Sequence, residues 1–389
     1  MSWQKFLSPS RAIGGVRRRA LLWLRKLAYQ PGAKPLREAV LFEAFEGKIV
    51  GDNSLDIFNE LRRRDTNLEF FWTIRKGMTA PEGSTGLIYG STEWLRALAS
   101  CRYLVNNSNF PWYFKKVPGQ VYLQAWHGTP LKRLGHDVAV SQMSKIYLQT
   151  MDREAAAWDY LIAPNAYCEE IFPSAFGYRG QQLVTGYPRN DRLSTTSAAE
   201  RQTIRESLGV FDPSIRLVLY APTWREFKRT ASGNWDTVNF VDTNTKLPYG
   251  FQLLFRGHHN THAAHSAKVA GGAIDVTSYE NVTDLYLAAD ILVTDYSSVM
   301  FDFTITGKPV LFLSPDLERY RAERGLYLDY EAEVPGPILT NPAELASALD
   351  RIDEISKTYA PKYRAWQKRF NALEDGHAAN RVVDAVWGA

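Results

Sequence analysis

The stretch "AADILVTDYSSVMFDF", residues 288 to 303, passes from a short run of branched apolar residues through a polar turn into a segment of helical spacing. An apolar run of about four to eight residues, closed by turn formers and followed by a helix, is the repeating unit of a parallel sheet covered on both faces. The same unit recurs on either side. "AVLFEA" (39–44), "LEFFWTI" (68–74), "GLIYG" (86–90), "CRYLVNN" (101–107), "QVYLQAW" (120–126), "DYLIAPN" (159–165) and "QQLVTGY" (181–187) alternate with helix-forming stretches that include 140–157 and 166–176. A polar, helix-forming stretch over 195–214 intervenes. The pattern then restarts with "RLVLYAPT" (216–223), "FQLLFRG" (251–257), "GAIDVTS" (272–278), "DILVTDY" (290–296) and "PVLFLS" (309–314), with helices expected over 281–289 and 298–307. The rhythm predicts an α/β protein of two Rossmann-like halves. The tail from about 340 is helical in pattern, with breaks expected near Pro361 and Gly376, and is expected to pack back across both halves.

A length of 389 residues exceeds the usual single domain, and 45% apolar with 23% charged residues is the composition of packed cores rather than of disorder. Two cysteines, Cys101 and Cys168, are too few for a disulfide framework and fit a reducing, cytoplasmic setting. No apolar run approaches the roughly 18 residues needed to cross a bilayer, and no secretory leader is recognisable. The net charge of +4 conceals an asymmetry, because residues 1–37 carry nine Lys and Arg and no acidic residue, leaving the remainder at about −5. Within that head, Val16, Ala20, Trp23, Leu24 and Leu27 share a helical face, a basic amphipathic pattern suited to an anionic membrane surface. The basic residues do not continue into a nucleic-acid reader motif, so nucleic acid is not expected as a partner. No GxGxxG fingerprint is present, which disfavours a dinucleotide dehydrogenase.

Ligands of doubly wound sheets collect beyond the carboxyl ends of the strands, so the polar residues there are the candidates. Five stretches qualify: "WHGTPLK" (126–132), "GYPRND" (186–191), "APTWR" (221–225), "RGHH" (256–259) and "TDYSS" (294–298). In the last, Ser297 and Ser298 are placed to cap a helix with their hydroxyls while its free N–H groups face outward, a site for a phosphate or pyrophosphate. Asp302 reads as structural. Arg256 and His258 alternate onto one side of a strand end, a pairing suited to an anionic leaving group. His258, His262 and His265 fall at i, i+4 and i+7, but the absence of cysteine partners and of H-E-x-x-H argues against zinc. Thr223, Arg225, Arg189, Asn190 and Asp191 are strand-end residues that shape turns as readily as they meet a ligand.

Occurring together and in this order, "QAWHGTPLK", "GYPRND", "YAPTWR", "FRGHH" and "AADILVTDYSSVMFDF" resemble the CDP-glycerol glycerophosphotransferase family of teichoic-acid primases and polymerases. The resemblance covers about 100–320 well and the N-terminal third poorly. It implies a GT-B-like architecture of two Rossmann-like domains with the active site in the cleft between them. The chain is thus expected to divide into the basic N-terminal segment (1–37), a first half (38–200) and a second half that carries the C-terminal helices (201–389), the resemblance implying that the first presents the acceptor and the second binds the nucleotide donor. The resemblance puts His127 and His258 at the reaction centre and the donor's phosphates on Ser297 and Ser298; Gly128, Thr129, Lys132, Arg189, Asn190, Thr223, Arg225, Arg256 and Asp295 are expected around the substrates from their strand-end stretches. The usual R-x-H-P reads Arg256-Gly257-His258-His259, so the proline is missing.

The expectation is a peripheral enzyme on the inner face of the membrane. It would move glycerol phosphate from CDP-glycerol to a hydroxyl of a lipid-linked glycan or of a growing teichoic-acid-like or capsule polymer, and release CMP. His127 would take the acceptor proton. No cofactor and no metal are called for. CDP-ribitol or another CDP-polyol is the alternative donor. A non-catalytic scaffold is the alternative class, disfavoured by the presence of both histidines.

Overall fold

Residues 20–139, 144–223, 240–241, 245, 247–257 and 273–388 are described by the structure, a computed structural model. The strands of the first sheet are β1 (Arg37–Glu43), β2 (Glu69–Ile74), β3 (Thr85–Ile88), β4 (Cys101–Asn106), β5 (Val121–Gln124), β6 (Tyr160–Ala163) and β7 (Gln181–Val184), in the order β3-β2-β1-β4-β5-β6-β7. Those of the second are β8 (Arg216–Ala221), β9 (Phe251–Phe255), β10 (Ile274–Asp275), β11 (Ile291–Thr294), β12 (Val310–Leu313) and β13 (Ile338–Leu339), in the order β10-β9-β8-β11-β12-β13. Every neighbouring pair is parallel. Both halves therefore have the doubly wound Rossmann order, reversing direction between β1 and β4 and between β8 and β11. A ligand crevice is expected at each reversal, beyond the carboxyl ends of those strands.

Central strands sandwiched between helix layers bury both faces, which is why "AVLF" at 39–42 and "ILV" at 291–293 are uniformly apolar and at most 1% exposed. Each apolar run quoted from the sequence forms a strand. The addition is β13, two residues between Pro337 and Thr340, too short to register as a run. One hydrophobic cluster fills a face of the first sheet, a second fills a face of the other, and the largest runs through both halves.

The tail crosses between the halves, as expected, though not through the expected breaks. The helix Ile352–Phe370 runs straight through Pro361. An interior proline costs a helix about 3 kcal/mol by removing one hydrogen bond and crowding the carbonyl four residues back. Here Pro361 and Lys357 both lie on the exposed side, where water serves the freed carbonyl, while Trp366 and Phe370 bury the opposite face. Gly376, at φ +87°, does end the segment. The last helix, Ala378–Trp387, then leaves the second half altogether. Its Val382 and Val383 join Val40, Phe42, Ile57 and Phe58 on the first sheet. Asp191 of "GYPRND" caps it, accepting from the amides of Ala378 (2.8 Å) and Ala379 (2.9 Å). A boundary at 200/201 thus assigns to the second half a helix whose contacts belong to the first. Val382→Asp would bury an unpaired carboxylate under the first sheet and is expected to cost roughly 3 kcal/mol or more, read as a fall in thermal unfolding temperature.

Candidate active site

The first crevice is built around a strained turn. β5 ends at Gln124, the Ala125 amide still bonds the Asn106 carbonyl, and Trp126 then adopts φ +50°. For a residue with a Cβ this left-handed conformation costs on the order of 1–2 kcal/mol and needs compensation nearby. Four contacts supply it. The Trp126 amide donates to Gln124 Oε1 (2.9 Å) and its indole Nε1 to the Gly128 carbonyl (2.9 Å). Asn53 Nδ2 donates to the carbonyls of Ala125 (3.0 Å) and Trp126 (3.2 Å).

His127 follows, half-buried, with its ring 4.2 Å from the Trp126 ring and 5.4 Å from that of Phe45. Its Nδ1 lies 2.7 Å from the Asn107 carbonyl oxygen. A carbonyl can only accept, so Nδ1 carries the proton and Nε2 is left with its lone pair. Burial pushes the imidazole pKa below its ordinary value, and the nearby Arg189 cation adds to the effect, against the opposing pull of the Asn107 carbonyl and Asp52. A neutral imidazole of fixed tautomer is able to accept a proton at Nε2.

At the second reversal, Asp295 follows β11. It is 1% exposed, and its Oδ1 accepts from the amides of Thr223 (2.7 Å), just past β8, and Tyr296 (2.6 Å). Tyr330 OH donates to the Asp295 carbonyl, and Tyr296 stacks on Tyr320 at 3.9 Å. This packing presents Ser297 and Ser298, both half-buried, at the head of the short helix Val299–Phe303. Of the two expected hydroxyl caps, one is absent and the other is long. Ser298 is in the right-handed helical region, whereas a capping side chain needs an extended residue, and Ser297 Oγ reaches the Val299 amide only at 3.5 Å. Arg256, at the end of β9, donates from Nη1 to the carbonyls of Val276 (3.1 Å) and Tyr279 (2.8 Å); among the described residues no carboxylate pairs with it.

The two crevices face each other. A Cβ built on Gly128 would lie 3.1 Å from Ser298 Oγ, so "WHGTP" and "TDYSS" meet closely enough that a larger residue at 128 would press on the serine side chain. Beyond the turn, Lys132 forms an antiparallel bridge with Leu326, flanked by bonds from Arg133 N to the Gly325 carbonyl (3.2 Å) and from Tyr327 N to the Leu131 carbonyl (2.9 Å). The Lys132 ammonium lies over the Tyr320 ring at 5.4 Å. Arg189, 8% exposed, joins the halves from within. Its Nη1 donates to Asp52 Oδ2 (3.1 Å) and to the His127 carbonyl (3.0 Å), and its Nη2 to Asp302 Oδ2 (2.7 Å). Asn190 Nδ2 donates to Asp302 Oδ1 (3.1 Å).

Residues 32–388 match the family model described as CDP-glycerol:poly(glycerophosphate) glycerophosphotransferase. The chain belongs to this family. It is 34% identical over 91% of its length to the teichoic acid poly(glycerol phosphate) polymerase of Bacillus subtilis, of which it spans about half (49%). It is also 34% identical over 91% of its length to the teichoic acid glycerol-phosphate transferase of Staphylococcus aureus, of which it spans 94%. Its fold is that of the wall teichoic acid polymerase TagF, with a TM-score of 0.86, 31% identity, and coverage of 97% of this chain and 95% of that one. The GT-B-like architecture read from the sequence is thus the architecture the chain shares with that polymerase.

Within it, the candidate residues divide. His127, Gly128, Ser297 and Ser298 come together. Four others do not reach the cleft as expected substrate contacts. Thr129 is 3% exposed against the Cys168 thiol, Arg189 and Asn190 are committed to Asp52 and Asp302, and Asp295 orders its own loop. Polar residues at a strand end serve loop or ligand equally well by sequence pattern, and burial decides. Asp302 is structural, as read. His258 and Arg225, with His262 and His265, lie outside the described residues. Among the described residues no cluster of His, Cys, Asp or Glu could hold a metal. Asn53, Asn107 and Asp52 went unnoticed, since an asparagine at a helix start or after a strand has no distinguishing pattern.

Arg189→Met should leave two carboxylates buried without their cation and cost about 3–5 kcal/mol in denaturant unfolding. Combining it with Asp52→Asn and Asp302→Asn should restore part of that loss, because the repelling charges are gone.

Proposed function

We propose that this glycerophosphotransferase moves glycerol phosphate from CDP-glycerol to a hydroxyl at the end of a teichoic-acid-like acceptor, releasing CMP. The observation carrying the proposal is the His127 imidazole, held neutral with Nε2 unprotonated, on a turn that touches the Ser298 loop of the opposite half. Glycerol is favoured over ribitol because relatives at 34% identity carry glycerol phosphate in their names.

The acceptor hydroxyl attacks the phosphorus that bears the glycerol. A new P–O bond forms, the bond to the CMP oxygen breaks, and the hydroxyl proton passes to His127 Nε2. The donor phosphates lie against the Ser297 and Ser298 hydroxyls, with Arg256 and His258 balancing the charge that gathers on CMP as it leaves. Thr223, Arg225 and Lys132 are assigned to the rim of the donor site. The first half takes the acceptor.

The acceptor is lipid-linked, and the chain works at the cytoplasmic membrane surface. Among the described residues no helix is long and apolar enough to cross a membrane. The helix over 20–28 instead exposes Leu21 (48%), Trp23 (55%), Leu24 (62%) and Leu27 (71%) beside Trp112 (43%), an apolar strip in a stretch of sequence, 1–37, that carries nine Lys and Arg and no acidic residue. Lys26 Nζ lies over the Trp23 and Trp112 rings at 4.7 and 4.9 Å.

His127→Ala should lower turnover per folded molecule by about 100- to 10,000-fold while CDP-glycerol affinity, by calorimetry, stays within about threefold. In the unsubstituted protein the acid limb of the rate profile should fall below the ordinary histidine value of about 6.5, because burial keeps His127 unprotonated to lower pH. A limb above that value counts against His127 as base. Leu24→Glu with Leu27→Glu should abolish sedimentation with anionic vesicles and leave CMP release from a soluble acceptor unchanged; vesicle binding equal to that of the parent would remove the membrane assignment.

A further inference from the structure

Asn53 sits in the first turn of the helix Asp52–Arg63, directly after the β1 crossover. In a nucleotide-binding Rossmann half this is where the helix start faces phosphate oxygens. Here the position is filled from within. Asn53 is fully buried, and its side chain is turned onto the β5 turn.

The geometry of that contact is conformationally selective. One nitrogen, Asn53 Nδ2, receives two successive carbonyls, those of Ala125 at 3.0 Å and Trp126 at 3.2 Å. Along an extended strand successive carbonyls point to opposite sides, so they cannot converge on one donor. They converge because Trp126 is at φ +50°. Asn53 therefore bonds the left-handed turn and not its relaxed alternative, in which one of the two carbonyls swings away. The opposite end of the amide is also engaged, Oδ1 accepting from the Arg189 amide at 3.2 Å. Two donors and an acceptor on one short planar group match this site. Aspartate lacks the donors, serine has one, and glutamine places the amide a methylene further out.

His127 is the next residue, so the direction of its Cα–Cβ bond follows from the Trp126 backbone. A relaxed Trp126 would turn the ring off the Asn107 carbonyl, the contact that fixes the tautomer. We infer that Asn53 is a positioning residue, clamping the strained Trp126 turn so that the His127 ring keeps Nδ1 on Asn107 and Nε2 toward the cleft. The inference rests on the reading of His127 as base only for its effect on rate; its effect on the ring stands independently.

The test uses the full-length chain with ¹⁵N-labelled histidine. The His127 signal is identified by its loss in His127→Ala. Asn53→Asp, nearly isosteric and retaining the acceptor for Arg189, and Asn53→Ala are compared with the parent for folding, donor affinity, turnover and the state of the ring. Both variants should bind CDP-glycerol within about threefold and lose about 10- to 100-fold in turnover, the scale of a misplacement of about 1 Å. In both, the ring should change from the single Nδ1–H tautomer to a mixture, its titration moving up toward that of an ordinary histidine. Asn53→Ser, with one donor kept, should fall between and serves as the measured variant if the other two do not fold. An unchanged ring tautomer and titration in a folded Asn53 variant overturns the inference, whatever happens to turnover. Full turnover by His127→Ala overturns the base assignment instead, and leaves the ring result to judge Asn53 alone.

Discussion

A guanidinium buried between two carboxylates on opposite halves is what the cleft depends on. Taking Arg189 out of water is costly, and the cost is offset only while Asp52, Asp302 and the His127 carbonyl all hold their places around it. Asp52 opens the helix that follows β1, Asp302 lies in the helix that follows β11, and the His127 carbonyl belongs to the turn after β5. One side chain thus ties together the carboxyl edges of both sheets. Such an arrangement contributes less to stability than to uniqueness: any other relative placement of the halves strands at least one charge in the interior. Asn190 and Glu374 extend it, with Glu374 Oε1 accepting from the Tyr187 amide at 3.1 Å and holding the crossing tail against "GYPRND".

With the halves so fixed, the first one can hold backbone that would relax if left alone. Of the five non-glycine residues at positive φ among the described residues, four, Phe45, Glu46, Asp52 and Trp126, lie along the carboxyl edge of the first sheet, and Asp65 precedes β2. Strain gathered at one edge marks a site whose surroundings over-determine it. Phe45 illustrates how: its amide donates to Asn107 Oδ1 at 2.9 Å while its ring packs on His127, so the residue whose carbonyl sets the histidine tautomer also secures the ring's neighbour.

The strands were legible because buried parallel strands must be apolar on both faces, a constraint strong enough to show in runs such as "AVLF" and "RLVLYA". A two-residue strand such as β13 imposes no comparable constraint. Pro361 misled because the penalty of an interior proline is local, whereas the burial of Trp366 and Phe370 on the other face is tertiary. The motifs mark the carboxyl edges of both sheets and do not say which members face solvent. Arg189 and Ser298 are alike in being polar residues near strand ends, and the difference between a buried tie and a half-buried hydroxyl at the cleft arises only when a second sheet is set against the first. The left-handed Trp126 left no trace at all, since tryptophan is not a residue chosen for positive φ.

Two halves with the same strand order have come to use their reversal points differently, and the difference lies in what occupies the crevice. In the second half the loop after β11 leaves two hydroxyls at the cleft, because Asp295 and Tyr296 carry the packing on their behalf. In the first half the helix start after β1, where an anion would otherwise be drawn, is stoppered by Asn53 and the carbonyls it binds. The polar groups of the first crevice hold an imidazole instead. The same topology thereby sets a loop bearing two hydroxyls in one half against a turn bearing an imidazole in the other, so close that a Cβ placed on Gly128 would lie 3.1 Å from Ser298 Oγ.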